Sequence, residues 1–278
     1  MRRLPLTKNR EVIYDLLTRA KRFHCPVSGT WELDAGPLAA ARAAARAQGR
    51  AIGLAAPLVK ATALVLERHP RLNRHLFHGL FRRFEVDFEA IRCTLILLRE
   101  GPDGERMLFP LNVDQPERRS VDEIQALIDH HKRAPLAELP QVQAIQRLKR
   151  MPRPLLRWFS WKARSDPAFY LRYFGTYGVS CVGSSPTGPI AGHAVANTGS
   201  AFFVGPVREA PRVVDGRVSI GLTLSISLVV DHYLLDGNDM VAAMDTLRAL
   251  LLEPTRLGLP AAPVPADLTA LVAGEEEA

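Results

Sequence analysis

The sequence predicts an α/β fold, on three observations. Strand-like and helix-like patterns alternate along the chain, and one strand, turn and helix near the C-terminus can be read residue by residue. With 278 residues and 47% hydrophobic content, the chain can also bury a core as one large domain.

Taken in order, Pro37 is a good first-turn residue and precedes an alanine-rich helix over 39–48. Residues 54–68 carry Leu58, Leu64, Val65 and Leu66 on a mostly buried helix. Residues 90–98 and 106–113 read as strands around Gly101-Pro102-Asp103-Gly104, and Ser120 with Glu123 makes a capping box that opens a helix running to about Lys132. Val213-Val214-Asp215-Gly216-Arg217-Val218 is hairpin-like. Between Leu222 and Val230, Leu222, Leu224, Ile226 and Leu228 alternate with Thr223, Ser225 and Ser227, the period of a strand with one buried face. Met240, Val241, Met244, Leu247 and Leu251 then fall at helical spacing, with Asn238 or Asp236 as cap and an end before Pro254. The predicted organisation is one domain over 1–258, with a Pro- and Ala-rich tail over 259–278 that closes on Glu275-Glu276-Glu277 and is expected to be extended or frayed.

Composition narrows the class. No apolar run is long enough to span a bilayer, and the basic start Met1-Arg2-Arg3 leads into Pro and Thr instead of a secretory apolar core, so a cytoplasmic protein is expected. Three widely spaced cysteines, Cys25, Cys93 and Cys181, suit neither a disulfide framework nor a zinc site and read as buried thiols. No metal is expected. His130-His131 reads as an exposed helix end.

The formal net charge of +7 is local. Residues 141–175 hold Arg147, Lys149, Arg150, Arg153, Arg157, Lys162, Arg164 and Arg172 against Asp166 alone, interleaved with Leu155, Leu156, Trp158, Phe159, Trp161, Phe169 and Tyr170. Three readings of this basic amphipathic segment compete: attachment to an anionic membrane surface, a clamp for acidic groups on a substrate or on coenzyme A, and a solvated helical face covering the core. No nucleic-acid motif accompanies the charge, so nucleic acid is not an expected partner. A second cluster, Arg68, Arg71, Arg74, His75, His78, Arg82 and Arg83, is expected to add to the same surface.

The junction between the last strand and helix reads Asp231-His232-Tyr233-Leu234-Leu235-Asp236-Gly237, an H-x-x-x-D-G pattern with the histidine at a strand end and the acid in a tight turn. Gly237 suits unusual dihedrals there, Asp236 can fix the loop, and His232 so held is a candidate general base. The bland alternative is a turn histidine capped by an acid.

Separated blocks elsewhere carry a family resemblance. Gly175, Thr176 and Ser180, then Asp215 and Gly216, then Asp231, His232, Asp236 and Gly237, follow the order of motifs in the catalytic domain of the dihydrolipoamide acyltransferases of 2-oxo acid dehydrogenase complexes. Leu4-Pro5-Leu6-Thr7-Lys8-Asn9-Arg10-Glu11-Val12-Ile13 resembles that family's opening, and Leu58-Val59-Lys60-Ala61 and His69-Pro70-Arg71-Leu72-Asn73 resemble two further elements. More distantly the chain resembles chloramphenicol acetyltransferase. The resemblance spans most of residues 4–255. It implies a chloramphenicol acetyltransferase-like fold of the sandwich type, a mixed central sheet with flanking helices, assembled as a homotrimer with the histidine and the serine of each site on different chains.

By the same resemblance the protein is an acyltransferase that moves an acyl group from a thioester, coenzyme A or a carrier protein, to a thiol, hydroxyl or amine acceptor. His232 would be the general base, Ser180 the hydroxyl aimed at the oxyanion, and Asp236 a structural acid paired with Arg10, with Gly237 and Thr176 in support. The residues binding coenzyme A are not assigned. Three departures matter: Tyr233 stands where the family has arginine, Thr255-Arg256-Leu257-Gly258-Leu259-Pro260 replaces a leucine-rich anchor, and no lipoyl domain precedes residue 4. A stand-alone trimer is therefore expected, with no covalent lipoyl group and its donor arriving free, on an acyl carrier or on a lipoylated partner. The segment 188–200, with His193, differs from the family and gives no pocket shape. The alternative is a non-catalytic trimeric scaffold that binds a partner or a membrane.

Overall fold

The computed structural model describes residues 8–100, 106–182, 190–193, 198–214, 216–265 and 271. The opening Leu4 to Thr7, the Gly101 to Gly104 connection, Gly183, Asp215 and Glu275 to Glu277 lie outside them.

In chain order the elements are α1 (Lys8–Phe23), β1 (Pro26–Asp34), α2 (Gly36–Ala47), α3 (Ala55–Arg68), β2 (Arg74–His78), β3 (Arg83–Asp87), β4 (Arg92–Glu100) and β5 (Arg106–Asp114). There follow α4 (Val121–Arg133), α5 (Pro140–Arg150), α6 (Arg153–Ser165), α7 (Pro167–Leu171), β6 (Tyr177–Cys181), β7 (Ser200–Val214), β8 (Arg217–Asp231) and α8 (Gly237–Leu252). Six strands form one mixed sheet in the order β1-β8-β7-β6-β4-β5, in which β6 runs parallel to both β7 and β4 and every other pairing is antiparallel. This is the mixed sheet with flanking helices expected above.

Alternation decides which face each strand buries. Leu224, Ile226, Leu228 and Val230 of β8, Phe202 and Val204 of β7, Tyr177 and Val179 of β6 and Cys93 and Leu95 of β4 join Leu58, Val65, Ile124, Met244 and Leu247 of the helices in one core. The other face is built from small polar groups: Ser225 and Ser227 are buried there, Ser180 half-buried, and Ser28 and Thr30 exposed. Only glycine fits at 175, where a Cβ would stand 2.6 Å from the Arg92 carbonyl. Gly216, with φ of +74°, supplies the left-handed residue of the β7–β8 hairpin.

Beside the sheet, β2 and β3 form a separate hairpin. Phe77 and Phe88 pack there with Tyr170 of α7, and His75 stacks on Tyr170 with ring centroids 4.8 Å apart. Burial, then the neighbouring His24, push the His75 pKa down to about 3, so it sits in the cluster uncharged.

Several expectations change. Cys25 is exposed, because the turn after α1 lies on the surface, whereas Cys93 is buried. Burial pushes the half-buried Cys181 thiol up to about 12, so it stays protonated. His131 is buried on the inner side of α4, while His130 is exposed. Val241 is half exposed, because α8 turns only Met240, Ala243, Met244, Leu247, Leu250 and Leu251 inward. The start of the tail is packed, with Leu259 in the main core. The second basic cluster does not form one surface: His75 is buried, Arg71 pairs with Asp239, and Arg74 pairs with Glu85 and Asp87. No described helix is long and apolar enough to cross a membrane.

Candidate active site

The β8–α8 junction has the predicted form, a strand end, a short turn and a capped helix. The Asp231 carboxylate and the His232 amide are tied to residues far away in sequence. The buried Asp231 carboxylate accepts from His24 Nδ1 at 2.6 Å, from the Cys25 amide at 3.1 Å and from the Tyr233 amide at 3.2 Å. The His232 amide donates to the Cys25 carbonyl at 2.8 Å. Burial alone would raise the Asp231 pKa, but the bonds from His24, Cys25 and Tyr233 outweigh it and hold the carboxyl below its ordinary range. The segment 24–25 thus clamps the strand end on both sides of the peptide that carries His232.

Within this loop the His232 Nδ1 lies 2.9 Å from the Leu235 carbonyl. A carbonyl only accepts, so Nδ1 must carry the proton, and the neutral ring presents Nε2 as an acceptor. The residue is exposed in the single chain.

Asp236 serves as the N-cap of α8. Its Oδ1 accepts from the Asn238 and Asp239 amides at 3.0 and 3.4 Å, and the Asp239 carboxylate returns a bond from the Asp236 amide at 3.0 Å. The contacts that the structure gives Asp236 are therefore those of a capping box, not of an ion pair with Arg10, which lies on the exposed side of α1. The arginine that braces the turn is Arg71, donating to Asp239 at 2.7 Å and to the Leu234 carbonyl at 3.0 Å. Gly237 has no positive φ and nothing within 4 Å of an added Cβ: it is the first helical residue and needs no special dihedral.

Ser180 lies on the polar face of the sheet, opposite Phe203 of β7, which is opposite Ser227 of β8. Its hydroxyl has no hydrogen-bond partner among the described residues. Nearby hydroxyls are committed: Ser227 Oγ bonds Thr30 at 2.7 Å and accepts from the Gly192 amide, and Ser28 bonds His193 Nδ1 at 2.8 Å. Thr176 is buried and ties β6 to the start of β4 by accepting from the Arg92 amide at 3.1 Å. His232 follows Ser227 by five positions and Ser180 is two strands away, so at about 3.3 Å per residue and about 4.8 Å per strand the two stand roughly 20 Å apart in one chain. A single chain does not bring them together.

Next to the loop a cavity of about 400 Å³ is lined by Arg22, Phe23, Leu76, His78, Arg83 and Tyr233. Residues 22–24 escaped the motif reading, and Arg71 stood in the His69–Asn73 block without its role, because their contacts with the loop are long-range. Asp231 was visible in the motif, but its partner His24, 207 residues away, was not. No group of described residues has the composition of a metal site.

Comparison with known proteins agrees with this architecture. Residues 179–259, from β6 to just past α8, match the family model of the 2-oxoacid dehydrogenases acyltransferase (catalytic domain). No curated protein matches in sequence. Among solved structures, a truncated catalytic core of the 2-oxoacid dehydrogenase multienzyme complex from Thermoplasma acidophilum superposes with a TM-score of 0.64 at 18% identity, covering 91% of this chain and 99% of that one. A probable dihydrolipoamide acetyltransferase from Listeria monocytogenes gives 0.63 at 16%, over 90% and 94%. The dihydrolipoamide acetyltransferase of Azotobacter vinelandii gives 0.63 at 17%, over 93% and 94%. In sequence over its last strands and helix, and in fold over about nine-tenths of its length, this chain resembles the catalytic domain of the dihydrolipoamide acyltransferases.

Proposed function

We propose that the protein transfers an acyl group from a thioester, coenzyme A or a carrier-bound thiol, to a thiol, hydroxyl or amine acceptor, with His232 as general base. The observation that carries the reading is the His232 Nδ1 bond to the Leu235 carbonyl, which leaves Nε2 as the proton acceptor. As the acceptor atom attacks the thioester carbon, its proton passes to Nε2 and the carbonyl oxygen becomes an oxyanion. When the tetrahedral intermediate collapses, the carbon–sulfur bond breaks and the imidazolium returns the proton to the leaving thiolate. A hydroxyl donating to the oxyanion stabilises that intermediate by about 2 to 4 kcal/mol.

Ser180 is our candidate for that donor. The Azotobacter structure is described as addressing a serine, a histidine and an asparagine in the catalytic mechanism, and that serine precedes its histidine by 52 residues, the separation of Ser180 and His232 here. The asparagine follows its histidine by four, where this chain has Asp236, the helix cap. A separation of roughly 20 Å within one chain favours a site completed between chains, with Ser180 from a neighbour in a homotrimer. The exposed apolar overhang of the β7–β8 hairpin, Val213, Val218 and Ile220, is surface that such assembly would cover. The test is thiol release from a panel of short and long acyl-coenzyme A donors with mixed acceptors. Release that falls at least about a hundredfold in His232→Ala supports the reading; equal rates in wild type and variant sink it.

A second property concerns α6. Its inner side buries Leu156 and Phe159, while Leu155, Trp158 and Trp161 are exposed beside Arg150, Arg153 and Arg157, which pair with no carboxylate among the described residues. Exposed indoles on a helix that also carries exposed arginines suit peripheral attachment to an anionic membrane surface. Co-sedimentation with phosphatidylglycerol-containing vesicles, absent with pure phosphatidylcholine and lost in Trp158→Ala/Trp161→Ala, is the expected result.

A further inference from the structure

The cavity beside Tyr233 gathers positive charge around a buried, unsatisfied atom. Arg22 and Arg83 line it and meet no carboxylate among the described residues. The Arg164 guanidinium lies 3.9 Å from the centroid of the Phe23 ring, which is part of the wall. His78 Nε2 is buried with no hydrogen-bond partner. Surface arginines usually point singly into water. Here two exposed arginines line one concavity together with the half-buried His78 and the Phe23 and Tyr233 rings, and an anion seated there offsets their mutual repulsion.

We propose that this cavity is an anion subsite that takes the phosphate or carboxylate end of an acyl-transfer substrate whose reacting end lies at His232. The assignment rests on the acyl-transfer reading only for what the rest of the ligand does. Tyr233 connects the two places: it lines the cavity, and its amide shares the Asp231 carboxylate with the clamp that holds the preceding residue, His232. Planar guanidinium groups favour oxyanions with two or more oxygens.

A proton accompanies the anion. In the free protein burial, then Arg164, Arg83 and His24 push the His78 pKa down, opposed by hydrogen bonding to the Phe23 backbone. Arg22 and Tyr233 also face this space. An oxyanion placed against Arg22 and Arg83 offsets the Arg83 charge that holds the His78 pKa down, so that pKa rises on binding. Binding therefore takes up a proton and tightens as the pH falls.

Titration calorimetry on the full chain with pyrophosphate and, separately, succinate tests this. Expected are one saturable site per chain, at least tenfold weaker binding in Arg22→Gln/Arg83→Gln, and, on lowering the pH, heats whose dependence on buffer ionisation reports proton uptake. Preference for pyrophosphate identifies a phosphate-bearing substrate, and preference for succinate a carboxylate-bearing one. No saturable binding of either, or binding untouched by the double substitution, overturns the proposal. His232→Ala separates the two readings: it should abolish turnover and keep anion affinity, so anion binding without turnover in the wild type defeats the chemistry alone, and turnover without anion binding defeats the subsite alone.

Discussion

At the scale of single residues, the behaviour of four histidines follows from what each ring faces. His232 faces a carbonyl and is left with an accepting nitrogen, His24 faces a carboxylate, His75 faces aromatic rings, and His78 faces arginines. His75 gives a pH prediction. Its folded pKa lies below the ordinary 6.5, so the unfolded chain binds a proton that the folded chain refuses. That stability is complete above about pH 6.5 and is lost by up to about 1.4 kcal/mol per pH unit as the pH falls from there toward about 3. Urea unfolding at pH 7.5 and 5.5 should show this loss in the wild type, and His75→Phe, which keeps the stacking on Tyr170, should reduce it. Asp231 works in the same direction at lower pH, with a depressed carboxyl pKa whose stabilising contribution is present above about pH 3.8 and lost on further acidification. Asp231→Asn should keep the strand and lose turnover, because the amide cannot accept from His24 and both backbone donors equally. Undiminished turnover in that variant would remove Asp231 from the site's support.

At the scale of elements, the β8 strand and the α8 helix were legible because each obeys its own period: Leu224, Ile226 and Leu228 at two, and Met240, Met244, Leu247 and Leu251 at three to four. The Ser120–Glu123 box was legible for the same reason, since all its partners lie within four residues. Cap and ion pair could not be told apart at Asp236 from sequence, because the side chain is chemically able to do either and only the direction of the turn decides. Substitution separates them. As a cap, Asp236→Asn should leave stability and turnover nearly unchanged, whereas Asp236→Ala should cost about 1 kcal/mol. A charge-dependent partner would make Asn as damaging as Ala, and thermal unfolding of the two variants decides the matter. Arg71, at the end of a 163-residue separation from Leu234, could be reached only through the fold.

At the scale of the whole molecule, a mixed central sheet with flanking helices was implied by the resemblance and is present, but the distance between His232 and Ser180 is a property of register that no motif states. If each site takes its histidine and serine from different chains, two inactive variants should rescue one another. Mixed refolding of His232→Ala with Ser180→Ala in equal amounts should restore about a quarter of the sites, the share in which both contributing chains carry the intact residue. If both residues acted from one chain, the mixture would stay as inactive as its components. A molecular mass by light scattering at three times that of the chain is the accompanying expectation. The clamp formed by residues 24 and 25 has a practical consequence. The imidazole hangs from the last residues before the sheet begins, directly after α1, so a substitution at His24 reaches the footing of the base across 207 positions of sequence.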